Sequence, residues 1–301
     1  METKKYKLTE ETINIMDRTL YRIEALKDFN DVKQGDKGGF VENEENLSQN
    51  GDCWVYDDAM VYDNAKVYDD VQVRGNAKIR GNAKLYNNAV VCDDAIVSDN
   101  AIVYSNAQVR DNARVYYNAE VCDNAEVYDN AEVFGKAIVY DNAKIRNYAR
   151  VCGDVRVYGN AEVYHYAKVY DDAKIYGNAV VCENAVVYGN VEVHNNAMVC
   201  GNAQVYDNAM VYEDAKVYDN AKVYGYAKIR GNAEVCDNAD YIVFKNWWSS
   251  GRHFTWTRSN NMWKVGCFYG TGKELIEKAY KDSEKSGREY EKIVRYVETV
   301  I

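Results

Sequence analysis

A strict six-residue period governs residues 55–240, and few folds can be built on it. The stretch holds 31 hexads with neither insertion nor deletion, such as VYDNAK at 61–66, IRGNAK at 79–84 and VCDNAE at 121–126. Slot one is always aliphatic: 26 Val, four Ile and Leu85. Slot five is Ala in 28 hexads and Val in three, and slot four is Asn or Asp in 27. Side chains alternate in direction along a strand. A short strand over slots five, six, one and two therefore turns Ala and Val one way and Lys and Tyr the other. Slots three and four, rich in Asp, Asn and Gly, supply a corner, because these residues best tolerate the left-handed backbone of a sharp bend. Three strands and three corners close a triangle, so residues 18 apart stack in columns. Proline, which removes a ladder donor, is absent from the whole chain.

The pattern aliphatic-x-x-x-small-x resembles the hexapeptide repeat of the left-handed parallel β-helix superfamily. The resemblance covers 186 of the 301 residues. It implies a mainly β fold: a single-stranded, left-handed parallel β-helix, or solenoid, of about ten triangular coils. At ~4.8 Å between neighbouring strands the rod would be roughly 50 Å long. Each coil buries its edges only against its neighbours, so stability accumulates in nearest-neighbour steps.

Three divisions follow. Residues 55–240 are the solenoid, and residues 1–54 a β-rich cap with an opening coil. Val41, Leu47 and Cys53 keep the spacing of slot five. Upstream, KYKLT and TLYRIEALKDF read as strands, with room for a short helix between them. The segment FNDVKQGDKGGFVENEENLSQNGDCWVYDDA, 29–59, resembles the start of hexapeptide solenoids of bacterial and phage genomes that are labelled transferases. Residues 241–301 form a small α+β module, similar to a tail on several such solenoids. YIVFKNWW, HFTWTRS and MWKVGCF read as strands. Thr271 with Glu274 makes a capping box that opens a helix through about Lys281. A second helix runs roughly 287–301, with Tyr290, Ile293, Val294, Val297 and Ile301 as its apolar stripe.

The outside of the rod displays columns. In slot two, Tyr68, Tyr86 and Tyr104, then Tyr140, Tyr158 and Tyr176, share one face, while Tyr170, Tyr188, Tyr206 and Tyr224 share a second. Such ladders either stiffen the solenoid or offer a tyrosine face to a protein partner or another copy of the chain. Six of eight cysteines occupy slot two and point outward, and only Cys182 and Cys200 are column neighbours. No Cys/His spacing suits zinc, so no metal is expected. The eight cysteines without a secretory leader, and no apolar run of ~18 residues, point to reduced thiols in the cytoplasm and no membrane span.

Is it an enzyme? Members of the superfamily it resembles are in many cases acyl- or acetyltransferases using acyl-CoA or acyl-carrier protein. They are usually homotrimers with a histidine base between subunits, often beside a loop that interrupts the coils. Here the coils run without interruption, and only His165, His194 and His253 exist. His165 sits at a corner with Glu183 one coil onward, a conceivable oriented base, although a tolerated corner residue explains it more simply. His194 falls in slot two between Tyr176 and Tyr212. These features lean against catalysis, and no cofactor is expected outside the transferase reading, which would take acetyl-CoA.

Charge is unevenly spread. The solenoid carries 18 basic and 28 acidic residues, residues 1–54 carry 8 and 12, and residues 241–301 carry 11 and 7. The tail's Trp247, Trp248, Arg252, His253, Trp256, Arg258, Trp263 and Lys264 could form a recognition surface, or the tryptophans could pack beneath the two helices. The expectation is a non-catalytic rigid scaffold or binding rod with this tail as its contact point. An acyltransferase is the alternative. A third reading is an acidic mimic of nucleic acid, weakened by the exposed Lys and Arg; nucleic acid itself is not an expected partner.

Overall fold

The computed structural model describes residues 4–248 and 250–300. Residues 60–235 form a parallel β-solenoid whose strands are mostly two residues long, slots six and one of each hexad. Strands 18 residues apart pair in register, for example Lys144↔Glu162 and Ile145↔Val163. Three flat sheets result, one per side of the triangle, in about 11 turns.

Slots five and one fill the lumen, as the alternation requires. From Ala59 through Val235 every residue in those slots is buried at 0% exposure. A narrow interior needs both a filler and a spacer, and Val supplies one while Ala lets the opposite wall approach. The corner is more specialised than its composition suggests. Each slot-three residue from Asp57 to Gly231 has φ between 54° and 87°, so this slot alone takes the left-handed bend. Its N–H then points along the rod toward the preceding coil's slot-three side chain. Asp129 accepts the Asn147 N–H at 3.0 Å, and Asp141 accepts that of Gly159 at 3.0 Å. Slot four has its own task. Its Asn side chains bond one above another, Asn88 through Asn106, Asn124, Asn142, Asn160 and Asn178 to Asn196, at 3.0–3.2 Å.

Backbone polarity makes the two ends chemically different. Slots two, four and six donate their N–H groups to the carbonyls of the next coil, as Tyr86 does to Val103 at 3.1 Å, while slot one donates backward, as Val67 does to Asn46 at 2.9 Å. For the forward-donating slots the first coil is left with orphan carbonyls, and the last with orphan N–H groups. The N-terminal end supplies donors. Lys5, 1% exposed, bonds Gly51 O at 3.1 Å and Cys53 O at 2.9 Å. Tyr6 Oη donates to Leu47 O at 2.8 Å, and Asn46 Nδ2 to Ala65 O at 3.0 Å.

Above this, β1 (Tyr6–Ile15) and β2 (Arg18–Ala25) form an antiparallel hairpin, and β3 (Lys37–Val41) joins it to the solenoid sheet. The short helix for which the sequence left room between the first two strands does not form. Thr12, Ile13 and Ile15 are β-branched and continue the strand to a turn at Met16–Asp17. Gly38 and Gly39 let β3 lie against the next coil, where a Cβ on Gly39 would collide with the Ala59 carbonyl. Val41 and Leu47 are also corrected. They pair with slot-one residues Val61 and Val67, not with slot five. Two extra residues in the corner at 48–52 cause the shift, and Trp54↔Gln72 restores the 18-residue step.

Candidate functional site

The solenoid stops where its last N–H groups are answered by side-chain oxygens. On three faces, Lys222, Lys228 and Glu234 donate to Asn238 Oδ1 at 2.9 Å, Thr255 Oγ1 at 2.9 Å and Ser259 Oγ at 2.7 Å. Cys236 N–H goes to Asp240 at 2.9 Å, and Tyr241 Oη donates to Lys222 O at 2.9 Å. Ala239, the last slot-five alanine, leaves the lumen because a 3-10 turn over Asn238–Asp240 replaces the coil. A four-stranded antiparallel sheet follows: Tyr241–Lys245, His253–Thr257, Met262–Val265 and Phe268–Gly270. The run MWKVGCF, expected as one strand, splits at Gly266, whose φ is 54°. Helices α1 (Gly272–Asp282) and α2 (Glu284–Val300) close the module, and the Thr271–Glu274 capping box is present. Val294 and Val297 of the apolar stripe are buried, while Ile301 lies outside the described residues.

The eight tail residues singled out in the sequence part company here. Trp256 and Trp263 are 1% and 2% exposed, in one core with Phe254, Leu275 and Val297, so they present no surface. Trp248 is half-buried against Phe254 and Tyr290. Trp247 is 80% exposed. Arg258 faces Asp240 at 3.9 Å, and Arg252 borders a cleft of about 210 Å³ with Cys267 and Tyr290. Burial, helped by Arg230 and Lys228, holds the Lys264 amine below its usual range. His253 stacks on Tyr226 at 4.3 Å, and burial with Lys245 and Lys228 lowers its pKa. With Tyr224, Tyr241 and Ile242 this pair lines an open notch of about 430 Å³ between the last coil and the tail.

His165 and Glu183 do not form a dyad. His165 has φ 58°, and its ring lies edge-on to Tyr164 at 4.7 Å. A slot-three side chain is aimed at the coil after its own, so Glu183 accepts the Gly201 N–H at 2.7 Å. His194 stacks between Tyr176 and Tyr212 at 4.6 and 5.0 Å.

The slot-two tyrosines stack as ladders, with Tyr140, Tyr158 and Tyr176 at 4.8 and 4.9 Å, and Tyr170 through Tyr224 at 5.0–5.2 Å. Such rings turn their faces to each other and only their edges outward. On the third face Arg110 and Arg146 lie 4.0 Å over Tyr128 and Tyr164. Slot-two thiols are poor nucleophiles, since burial, with Asp93 beside Cys92, pushes that thiol up to about 12, and burial with Cys182 pushes Cys200 to about 11. Among the described residues no group of three His, Cys, Asp or Glu side chains could hold a metal ion, and no helix is long and apolar enough to cross a membrane.

Residues 149–165, 173–189 and 203–215 match the YdcK β-solenoid repeat family. The chain is a β-solenoid protein. The first two matched segments each span about one coil of the rod. An Escherichia coli (strain K12) protein named "Uncharacterized acetyltransferase YdcK" is 50% identical over 38 residues, 13% of this chain and 12% of that relative. The match thus spans about an eighth of the relative's length.

Proposed function

We propose that this β-solenoid is a non-catalytic rod of the cytoplasm that works by binding a protein partner, with the C-terminal module as its contact end. The observation that carries this reading is Trp247. Its indole is 80% exposed on a module bonded to the last coil through Tyr241, Thr255 and Ser259, whereas Trp54, Trp256 and Trp263 are at most 2% exposed. Tryptophan is enriched among the residues that dominate interfaces, and a rigid support presents this ring at little cost in ordering when a partner covers it. The turning of Glu183 away from His165 supports the same reading. Placing a photoreactive benzoylphenylalanine at position 247 tests it. A discrete protein adduct formed in cells is expected, and a chain that yields no adduct at 247 overturns the assignment.

The relative's name favours a second reading, an acetyltransferase. Calorimetric titration with acetyl-CoA, combined with native mass, separates the two. The rod reading expects no binding at ~1 mM ligand; a homotrimer that binds the cofactor more tightly replaces it with the transferase.

A further inference from the structure

The Asn and Asp columns of the corners are broken at one site by aromatic residues in two successive coils. In slot four, Tyr148 and Tyr166 replace the usual amide between Asn130 and Asn184. Their rings stack at 5.1 Å and 7°, and they are 52% and 58% exposed. On the adjoining face Arg150 and Lys168 stand directly opposite each other in register, an arrangement of like charges that costs stability. These four side chains, with Glu132 and Val186, line an open groove of about 680 Å³.

An internal comparison shows what this groove lacks. The same slots on the next corner line a groove of about 670 Å³. There Asp154 and Asp172 occupy the places of the two tyrosines, beside Arg156 and Lys174. Glu192 bonds Lys174 at 3.1 Å, and Asp154 lies 3.7 Å from Lys136. Three carboxylates thus answer three cations. In the tyrosine groove Glu132 is the one acid, bonded to Arg150 Nε at 3.0 Å, and Val186 stands where the other groove has Glu192. Lys168 has no ion pair among the described residues. Two phenol hydroxyls, a guanidinium and an ammonium offer donors, so the missing component is an acceptor-rich anion.

The surroundings limit its size. On the same corner Asp129 lies one coil before the patch and Glu183 one coil after it, so the favourable window is two coils, about 10 Å long. A nucleic acid strand or a long acidic glycan would run onto carboxylates at either end. An extended peptide fits the window, since its side chains at i and i+2 share one face about 6.6 Å apart. From this geometry we infer that the groove docks a short, extended acidic segment of a protein partner. Carboxylates at i and i+2 of the segment meet Arg150 and Lys168, and its backbone lies along Tyr148 and Tyr166. The inference does not depend on Trp247, which lies in the tail module.

Fluorescence anisotropy on the full chain at low salt tests it. The probes are a fluorescein-labelled Gly-Glu-Gly-Glu-Gly peptide, its glutamine counterpart and labelled oligothymidylate. The glutamate peptide should bind at least about tenfold more tightly than the other two, the size of one lost charge-assisted contact. The double variant Tyr148→Asn, Tyr166→Asn rebuilds the amide column, so its fold is retained, and it should lose that binding. Tyr148→Asp with Tyr166→Asp, which copies the neighbouring groove, should abolish it. Equal binding of the glutamine peptide, tighter binding of oligothymidylate, or glutamate-peptide binding unchanged in both double variants would overturn the proposal.

Discussion

Thr255→Val isolates the role of the C-terminal cap. Thr255 is 1% exposed, and its Oγ1 accepts the Lys228 N–H of the last coil at 2.9 Å. Valine keeps the shape and removes the acceptor, so no cavity contributes and the buried N–H is left unpaired. Such a loss costs about 1–3 kcal/mol. Solenoids open from their ends in units of a coil, so the cost should appear locally. Hydrogen exchange in residues 217–235 should accelerate about 5- to 150-fold, the same free energy expressed as an equilibrium ratio, while the coils around residue 145 keep their protection. Thr255→Ser retains the hydroxyl and should lose far less. Exchange unchanged in the valine variant, or equal acceleration in the serine variant, would refute the view that the tail ends the rod by accepting its last N–H groups.

Three further outcomes can be measured. Ala143→Leu, at a 0% exposed slot-five position, should overpack the lumen and cost about 1–3 kcal/mol, read as a lowered melting temperature. Lys5→Met should leave the Gly51 and Cys53 carbonyls unpaired, costing about 1–3 kcal/mol near neutral pH. Burial holds the Lys5 amine below its usual value of 10.5, so the unfolded chain binds that proton more tightly. Its contribution to stability should therefore rise with pH from the lowered folded value up to about 10.5, and denaturation of the wild type against Lys5→Met across that range should show the gap widening. Trp247→Ala should change stability by less than about 0.5 kcal/mol and shift the fluorescence emission to the blue, because it removes the most exposed indole.

Period and composition together made the solenoid legible. A run of 31 hexads can be closed in few ways, and the Val and Ala slots left no choice about which side faces the lumen. The capping box of α1 was equally plain. What escaped was whatever depends on the direction of a backbone group. Slot three and slot four have similar compositions, yet one bends the chain and bonds a neighbouring N–H while the other builds an amide column. The Val41 and Leu47 shift was hidden because two added corner residues keep the six-residue spacing of the apolar positions while changing their partners. Asn238, Thr255 and Ser259 look like ordinary turn and strand residues, and they become acceptors only because the slot-six N–H groups of the last coil point toward that end. The tail tryptophans divided for a related reason: Trp256 and Trp263 alternate with residues facing the rod, whereas Trp247 follows the strand's end.

Because each end of the rod is closed by its own set of side chains, neither terminus senses how many coils lie between them. Inserting or deleting whole coils changes the distance between the termini without altering what either must recognise, so length is an adjustable parameter in steps of 18 residues. A block of five hexads, the 30-residue spacing that separates Cys92, Cys122, Cys152 and Cys182, is not such a step. Duplicating it also turns the tail by two sides of the triangle. Extension and reorientation of the tail are thus two outcomes of one kind of genetic event, distinguished only by whether the number of added hexads divides by three.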